Sequence, residues 1–178
     1  MALARRSIPL WSKSVVSCSY RRLSSAADGP LAFYGLGNMG HGMALNLVKA
    51  GYEVRAYDPS AAAREAAEKV GLQVSPTIEA AADGAAYIVS MLPTGAHAAS
   101  LYLGDGDSGG LLQSVGASTT MMDCSTIDAH TARTIGDAAA ARNLHFMDTP
   151  VSGGVAAAAA GSAQTAGIAR VVLRGLPA

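Results

Sequence analysis

Residues 33–40 read Phe-Tyr-Gly-Leu-Gly-Asn-Met-Gly, and the rest of the chain is interpreted from this segment. The pattern predicts the end of a strand, a glycine turn and the start of a helix. Gly35 permits the tight turn, Gly37 lets the backbone approach a diphosphate, and Gly40 lets the helix pack against the strand. The first amides of this helix have no intrahelical partners and lie at the positive end of its dipole. The stretch therefore favours a dinucleotide-binding turn, although glycine turns also match this pattern by accident.

The sequence on both sides of the turn supports this interpretation. An apolar run at 31–34 precedes it, an amphipathic stretch at 43–50 follows, and a second apolar run at 52–57 ends on Asp58. A carboxylate about 20 residues after such a turn accepts hydrogen bonds from an adenosine ribose. The same charge repels a 2′-phosphate, so Asp58 predicts NAD rather than NADP. The Asp-Pro-Ser sequence at 58–60 also fits a simple turn and helix cap, and the two interpretations are compatible.

Composition and charge limit the possible classes of protein. The chain has 178 residues, half of them hydrophobic, which is enough for one domain with a sizeable core. Residues 1–27 carry five basic and no acidic side chains, whereas the remainder carries 8 basic and 13 acidic residues. The net charge of −5 on the remainder argues against nucleic-acid binding. No apolar run approaches the ~20 residues that a membrane span needs.

The N-terminal segment, residues 1–27, predicts a mitochondrial transit peptide. It is basic, rich in serine and free of acidic residues, and the stretch 21–25 resembles a processing site. The alternative is a basic arm without a targeting role. Cys18 lies in this segment and Cys124 is the only cysteine after it, so no disulfide framework is possible in the mature chain. A reducing compartment such as the mitochondrial matrix fits this cysteine usage.

Strand and helix patterns alternate along the chain. Strands are predicted at 31–34, 52–57, 72–74, 87–92, 119–123 and 144–147, and helices at 43–50, 61–70, 78–82, 96–103 and 128–142. This alternation predicts an α/β fold with a parallel sheet and right-handed crossovers. Two half-units that meet at the first strand give a Rossmann-type doubly wound sheet with strand order 3-2-1-4-5-6. The dinucleotide-binding domain is expected to cover residues 28–161.

Several polar or glycine-rich segments follow predicted strands and should meet at one sheet edge. They are the glycine turn, Asp58, Leu92-Pro93, Ser125-Thr126 and the stretch 150–154. Ligands of doubly wound sheets bind beyond the carboxyl ends of the strands, at the point where the strand order reverses. The alternative is that Ser125-Thr126 caps the next helix and that 150–154 is a plain loop.

Four motifs resemble one family. Residues 35–40 (Gly-Leu-Gly-Asn-Met-Gly), 91–93 (Met-Leu-Pro), 123–128 (Asp-Cys-Ser-Thr-Ile-Asp) and 148–155 (Asp-Thr-Pro-Val-Ser-Gly-Gly-Val) closely resemble the 3-hydroxyisobutyrate dehydrogenases. These belong to the wider β-hydroxyacid dehydrogenase family. The resemblance runs from about residue 31 to residue 161, with the motifs in the same order.

The resemblance implies a function and a set of site residues. Members oxidise a small 3-hydroxy acid with NAD or NADP, and mitochondrial members convert 3-hydroxyisobutyrate to methylmalonate semialdehyde in valine degradation. Relatives that prefer NADP tend to place Asn-Arg at the position of Tyr57-Asp58, which supports NAD here. By matching position, the cofactor would contact Gly35, Leu36, Gly37, Asn38, Met39, Gly40, Asp58, Leu92, Pro93 and Thr126. The substrate carboxylate would be bound by Ser125, Gly153 and Gly154.

One part of the family's chemistry has no counterpart in the sequence. Hydride removal from a carbinol carbon needs a base for the hydroxyl proton. The family supplies a lysine in a Gly-x-x-Lys-x-x-Asn-Asn motif, but the lysines here are Lys13, Lys49 and Lys69, and no asparagine follows Gly154. No catalytic residue is therefore predicted. The family's helical domain, which carries that lysine and forms homo-oligomers, also has no counterpart.

The remaining features leave three hypotheses open. Residues 162–178 depart from the family and are expected to be a divergent tail, in which 168–173 is a candidate edge strand. Cys124 is expected to be an inert buried thiol, and the four histidines show no metal-binding spacing. The chain is then a truncated dehydrogenase, a non-catalytic NAD-binding module, or a partner of a full-length subunit.

Overall fold

The computed structural model describes residues 29–105, 109–162 and 164–165. The strands are β1 (Leu31–Tyr34), β2 (Val54–Tyr57), β3 (Gln73–Val74), β4 (Tyr87–Ser90), β5 (Thr120–Asp123), β6 (His145–Asp148), β7 (Val151–Ser152) and β8 (Gln164–Thr165). The helices are α1 (Gly40–Lys49), α2 (Ala61–Lys69), α3 (Ile78–Ala82), α4 (Gly95–Leu103), α5 (Leu111–Ser114), α6 (Ala129–Ala140) and α7 (Gly154–Ala160).

Six strands form one parallel sheet in the order β3-β2-β1-β4-β5-β6. The predicted fold class and strand order are therefore confirmed. Strand β1 pairs with β2 on one side and with β4 on the other, so the strand order reverses at β1. The glycine turn leaves the carboxyl end of this strand, which places it at the point where doubly wound sheets bind ligands.

The central strands β1, β4 and β5 are covered on both faces, which explains the largely apolar sequences of these strands. In β1, Leu31 and Phe33 belong to one buried cluster, whereas Ala32 and Tyr34 belong to the other. All four side chains are at most 1% exposed. This alternation follows from the pleat of a strand, since successive side chains point to opposite faces.

Most helices that follow a strand at the carboxyl edge begin with a side-chain cap. Ser60 accepts a hydrogen bond from the amide of Ala63, and Thr94 accepts one from the amide of His97. Asp128 accepts from the amides of His130 and Thr131. Asp128 is thus the cap of α6 rather than its first residue. Serine, threonine and aspartate favour this position because their oxygens satisfy amides that the helix leaves free.

The bounds of several predicted elements differ from those observed. Strand β4 ends at Ser90, before the predicted end at Leu92, and α1 begins three residues before the predicted Met43. Helix α6 ends at Ala140 and not at Arg142. A turn follows it, in which Asn143 has a φ of +57°, and this left-handed conformation stops the helix.

The segment after β6 contains structure that the prediction missed. Residues 150–154 were considered as a plain loop, but β7 pairs antiparallel with β8, and α7 begins at Gly154. The alanine run at 156–160 explains the helix, because alanine has the highest helix propensity. Helix α7 packs on α1, where Asn46 donates a hydrogen bond from Nδ2 to the carbonyl oxygen of Ala158 at 2.7 Å.

Some predictions lie outside the described residues. These are the transit peptide at 1–27 and the edge strand at 168–173. Among the helices of the described part, none combines the length and hydrophobicity needed to cross a lipid bilayer.

The contact between α1 and α7 can be tested with a pair of glycine substitutions. A Cβ added at Gly42 would lie 3.0 Å from the backbone N and Cα of Ala159, whereas a Cβ at Gly136 in α6 would meet no atom closer than Phe146 Cδ1 at 3.9 Å. We expect Gly136→Ala to raise the free energy of unfolding by about 0.5–1 kcal/mol, because alanine loses less backbone entropy in a helix. We expect Gly42→Ala to lower it by about 1 kcal/mol, since overpacking outweighs that gain.

Urea denaturation of both variants measures these changes. Equal stabilisation by the two alanines would show that α7 is not held against α1 as the structure describes.

Candidate functional site

A cleft of about 290 Å³ opens at the carboxyl edge of the sheet, between the ends of β1, β2 and β4. It brings together residues that the sequence placed far apart. Its walls are Gly35, Gly37, Asn38, Met39, Gly40, Asp58, Pro59, Met91, Leu92, Pro93 and His97. A larger depression of about 440 Å³ lies at the opposite edge, near Asp83 and Thr119, and none of the predicted site residues lines it.

Steric constraints explain two of the three glycines in the turn. Gly35 has a φ of +93°, and a Cβ there would lie 2.3 Å from the carbonyl oxygen of Met91. A Cβ on Gly40 would lie 1.8 Å from the carbonyl oxygen of Gly35 and 3.1 Å from Phe33 Cε1. No other residue could occupy either position without moving the backbone. The turn is therefore packed tightly against both β1 and the loop after β4.

Gly37 is different, because nothing inside the protein requires a glycine there. A Cβ on Gly37 would meet no atom within 4 Å, and the residue is exposed at the cleft. An absent side chain at this position keeps the cleft open to a ligand that approaches the backbone. Gly37 thus fits the role that the sequence predicted for it, close approach to a diphosphate.

The first turn of α1 is also suited to an anion. Its N-cap residue, Met39, makes no side-chain capping hydrogen bond, in contrast to the caps of α2, α4 and α6. The helix is ten residues long and contains no acidic residue in its first turn. A phosphate group at this end would accept hydrogen bonds from free amides and interact favourably with the dipole.

Asp58 connects the glycine turn to the end of β2. Its Oδ2 accepts a hydrogen bond from the amide of Leu36 at 2.7 Å, and its Oδ1 accepts one from the amide of Ser60 at 2.8 Å. The turn and helix cap predicted at 58–60 are therefore confirmed, with Ser60 as the cap of α2. Each carboxylate oxygen has a second lone pair, so Asp58 can still accept hydrogen bonds from ribose hydroxyls.

Arg64 supports the same loop, and the sequence gave no signal for this role beyond its position in α2. Its Nη1 donates to the carbonyl oxygens of Asp58 at 2.6 Å and Pro59 at 3.0 Å. Its Cζ lies 6.0 Å from the centre of the Tyr57 ring. The guanidinium therefore fixes the backbone that carries the Asp58 carboxylate.

The predicted substrate residue Ser125 is placed differently from what the sequence indicated. Its side chain is fully buried, and its hydroxyl donates to Asp123 Oδ1 at 2.6 Å while accepting from the amide of Leu92 at 2.8 Å. Ser125 thus supports the cleft wall from beneath. Thr126, the next residue, is exposed at the carboxyl end of β5, as a contact with a cofactor would require.

The glycines predicted to bind substrate lie after β7. Gly153 and Gly154 are exposed and have φ values of +130° and +68°. Ser152, which precedes them, is also exposed. The sequence reasoning overlooked Ser152, although it stands in the same quoted motif. Its hydroxyl is free to face solvent in a way that the buried Ser125 hydroxyl is not.

Cys124, Lys49 and Lys69 all lie outside the residues that line the cleft. The predicted burial of Cys124 is confirmed, since its side chain is 2% exposed. Burial raises the pKa of the thiol to about 11, which disfavours the reactive thiolate. Lys49 and Lys69 are exposed in the last turns of α1 and α2. Within the described ranges, no group of three His, Cys, Asp or Glu side chains is arranged to hold a metal ion.

Sequence comparison identifies related proteins. A family profile described as the NAD binding domain of 6-phosphogluconate dehydrogenase matches residues 30–172. A 3-hydroxyisobutyrate dehydrogenase of Pseudomonas aeruginosa is 46% identical over 132 residues, which are 74% of this chain and 43% of that protein. An NAD-dependent L-serine dehydrogenase of the same organism is 42% identical over the same shares of both chains. The human mitochondrial 3-hydroxyisobutyrate dehydrogenase is 38% identical over 139 residues, 78% of this chain and 40% of that protein.

Comparison with solved structures finds the same kind of relative as comparison of sequences. A 3-hydroxyisobutyrate dehydrogenase from Mycobacterium tuberculosis, solved with L-serine, superposes with a TM-score of 0.74 at 34% identity. The superposition covers 82% of this chain and 51% of that one. The chain spans about two fifths of the length of the relatives that it matches, 43% for the two Pseudomonas proteins. The family profile extends to residue 172, beyond the predicted boundary at residue 161.

The glycine turn, the cleft and these matches lead to one assignment. The cofactor of the family is a nicotinamide dinucleotide, NAD or NADP. The chain belongs to the family of the NAD-binding domain of 6-phosphogluconate dehydrogenase and, within it, is similar to the 3-hydroxyisobutyrate dehydrogenases.

Proposed function

We propose that the chain is the NAD-binding part of a dehydrogenase that oxidises 3-hydroxyisobutyrate to methylmalonate semialdehyde, a step of valine degradation. The exposed Gly37, which lies where a dinucleotide would approach the first turn of α1, carries the cofactor part of the proposal. The similarity to 3-hydroxyisobutyrate dehydrogenases supports the choice of substrate. An exposed backbone at an uncapped helix N-terminus favours an anionic ligand, because the free amides can donate hydrogen bonds to it. The diphosphate of a dinucleotide is such an anion.

The two halves of the dinucleotide would lie on either side of the glycine turn. The diphosphate would rest on the amides of residues 37–40, and Asp58 at the end of β2 would accept hydrogen bonds from the adenosine ribose. The nicotinamide half would then lie toward β4 and β5, where Leu92, Pro93 and Thr126 are placed. When bound, the cofactor accepts a hydride from the carbinol carbon of the substrate.

The preference for NAD rather than NADP rests on Asp58. Its carboxylate already accepts two backbone amides, which fixes its position beside the cleft. A 2′-phosphate at the ribose would place a second negative charge next to the Asp58 carboxylate. Like charges in contact repel strongly in a partly desolvated site. Arg64 does not offset this, because its Nη1 already donates to the carbonyls of Asp58 and Pro59.

The substrate carboxylate would be bound at the turn after β7. Gly153 and Gly154 expose their backbone there, and Ser152 is the exposed hydroxyl beside them. We assign the hydroxyl contact to Ser152 in place of Ser125, because the Ser125 side chain is buried and hydrogen-bonded to Asp123. Glycines of positive φ let an anion come close to backbone N–H groups.

The chain by itself would bind the cofactor without completing the reaction. The base that removes the hydroxyl proton has no candidate after Gly154, and Lys49 and Lys69 are at helix ends away from the cleft. A non-catalytic NAD-binding module and a partner of a full-length subunit are the alternative roles. The serine dehydrogenase relative favours L-serine as a second candidate substrate, since it is also a small 3-hydroxy acid.

The location proposed for the protein is the mitochondrial matrix. The basic N-terminal segment supports this, as do the names of relatives from human and Dictyostelium discoideum, which are called mitochondrial. The Pseudomonas relatives show that the same domain also occurs in bacteria.

The dinucleotide site can be tested by filling the space above Gly37. A methyl group there would meet nothing within 4 Å, so Gly37→Ala should fold normally. It would occupy the space that the diphosphate needs, and we expect NAD affinity to fall about tenfold or more, which corresponds to ~1.4 kcal/mol. Isothermal titration of NAD against the purified chain measures the change.

A matched control is Gly116→Ala, whose added Cβ also meets nothing within 4 Å but lies at the opposite edge of the sheet. It should leave the NAD affinity unchanged. Equal affinities of the Gly37→Ala variant and the unmodified chain would place the dinucleotide elsewhere.

The cofactor preference can be tested with Asp58→Asn. The amide keeps the shape of the side chain but removes its charge, so the repulsion of a 2′-phosphate disappears. We expect NAD to bind about tenfold more weakly, because hydrogen bonds to a charged acceptor are worth ~1.5–3 kcal/mol. The preference for NAD over NADP should shrink at least as much.

The ratio of the two affinities is the decisive quantity, since any loosening of the Leu36 amide would weaken both cofactors alike. An unchanged ratio would mean that Asp58 does not select the cofactor.

The absence of a base predicts that the chain shows no turnover. Purified residues 28–178, incubated with NAD and either 3-hydroxyisobutyrate or L-serine, should produce no NADH absorbance at 340 nm above a no-enzyme control. Oxidation of either acid would contradict the proposal that residues 28–178 do not complete the reaction, and would identify the substrate directly.

A further inference from the structure

A buried chain of hydrogen bonds runs beneath the nicotinamide side of the cleft. Ser90 and Ser125 both donate from Oγ to Asp123 Oδ1, at 2.7 Å and 2.6 Å. The Ser90 hydroxyl has a single proton, so the hydroxyl of Tyr102, 2.7 Å from Ser90 Oγ, is the donor in that contact. Ser125 in turn accepts the amide of Leu92 at 2.8 Å. Tyr102 and the Leu92 amide thus donate to the two serine hydroxyls, and both serines donate to the same carboxylate oxygen, Asp123 Oδ1.

This chain of hydrogen bonds is shielded from solvent. Ser90, Tyr102, Asp123 and Ser125 are each 0% exposed. Burial, together with the nearby Asp123, raises the pKa of the Tyr102 hydroxyl well above its ordinary value, so the hydroxyl keeps its proton and remains a donor. Buried networks of this kind fix side-chain geometry, because a lost partner leaves a polar group without water to replace it.

The hydrogen-bonded chain reaches the cleft at one end, the amide of Leu92. The amide of Met91 is held independently by the carbonyl oxygen of Tyr34 at 2.9 Å. The amide of Leu92 is the next one, and it depends on Ser125. Leu92 and Pro93 line the cleft. The conformation of these two residues therefore depends on a carboxylate that does not itself face the ligand.

We propose that Asp123 is a positioning residue, which acts through Ser125 to hold the Leu92 amide and so shapes the wall that receives the nicotinamide half of the dinucleotide. This inference rests on the proposed function. The adenosine half would be bound on the other side of β1, by the glycine turn and Asp58, and none of the hydrogen bonds of the buried chain reaches those residues. The larger effect of losing these hydrogen bonds is thus expected on the nicotinamide half of the ligand.

A purely structural role would give a different result. If the network only stabilised the domain, its loss would loosen both halves of the site to the same degree, or neither. NAD and ADP distinguish the two cases, because ADP carries the adenosine and the diphosphate without the nicotinamide nucleoside. A positioning role separates the two affinities, whereas a general loss of stability does not.

The experiment compares the full chain with Ser125→Ala, which removes the acceptor of the Leu92 amide, and with Asp123→Asn, which removes the charge. Affinities for NAD and for ADP are measured by titration, and thermal denaturation measures stability. We expect both variants to bind NAD about five- to tenfold more weakly, since the wall is no longer preorganised, and to bind ADP within about twofold of the unmodified chain. If Asp123→Asn does not fold, Ser125→Ala carries the test alone.

The matched control is Thr119→Val. Thr119 is 4% exposed and its hydroxyl donates to the carbonyl oxygen of Ala85 at 2.8 Å, at the opposite edge of the sheet. Its loss should lower the melting temperature without changing either affinity. Equal weakening of NAD and ADP in Ser125→Ala, or no change in either, would overturn the inference while leaving the proposed function in place. An unmodified chain that binds neither ligand would overturn both.

Discussion

The close contact between Gly40 and the carbonyl oxygen of Gly35 is the constraint on which the site depends. A Cβ at Gly40 would lie 1.8 Å from that oxygen, so the helix can start this near to the end of β1 only without a side chain. The contact aims the first turn of α1 at the position where the strand order reverses. A helix that started farther from the strand would carry its free amides away from the cleft.

Two carboxylates hold the loops on either side of this turn, and they do so in different ways. Asp58 is partly exposed and links the turn directly to the end of β2 through the Leu36 amide. Asp123 is buried and contacts the loop after β4 indirectly, because Ser125 lies between its carboxylate and the Leu92 amide. Hydrogen bonds to charged acceptors are stronger than those between neutral groups, which suits both loops to hold one conformation.

Much of the fold could be predicted because local sequence and sheet topology agree. The apolar run in β1, the glycine turn and the alternation of strands with helices identify the doubly wound sheet without any tertiary information. The predicted end of β4 is two residues too late, because Met91 and Leu92 are as apolar as the strand before them but lie after its end, where they line the cleft. Helix α7 was not predicted because it begins at Gly154, and two adjacent glycines are unfavourable at the start of a helix, whereas the alanine run that favours it lies further on.

The geometry of the site was harder to predict than its composition. The burial of Ser125 depends on the pairing of Ser90 with Asp123 across β4 and β5, a register that no local pattern specifies. Arg64 likewise reads as an ordinary helical residue until α2 is folded against the Asp58 loop. Hydroxyl and guanidinium groups take their roles from neighbours distant in sequence, so a motif names the residues of the site without saying which of them face the ligand.

The most direct test of the dinucleotide site is an NMR titration of the isotope-labelled chain with NAD, which follows each backbone amide separately. We predict that the largest shift changes fall on Leu36 to Gly40, with further changes at Asp58 and Leu92, and that the amides near Thr119 at the opposite edge stay unchanged. Shift changes confined to that opposite edge, or absent throughout the glycine turn at saturating NAD, would contradict the placement of the cofactor on the first turn of α1.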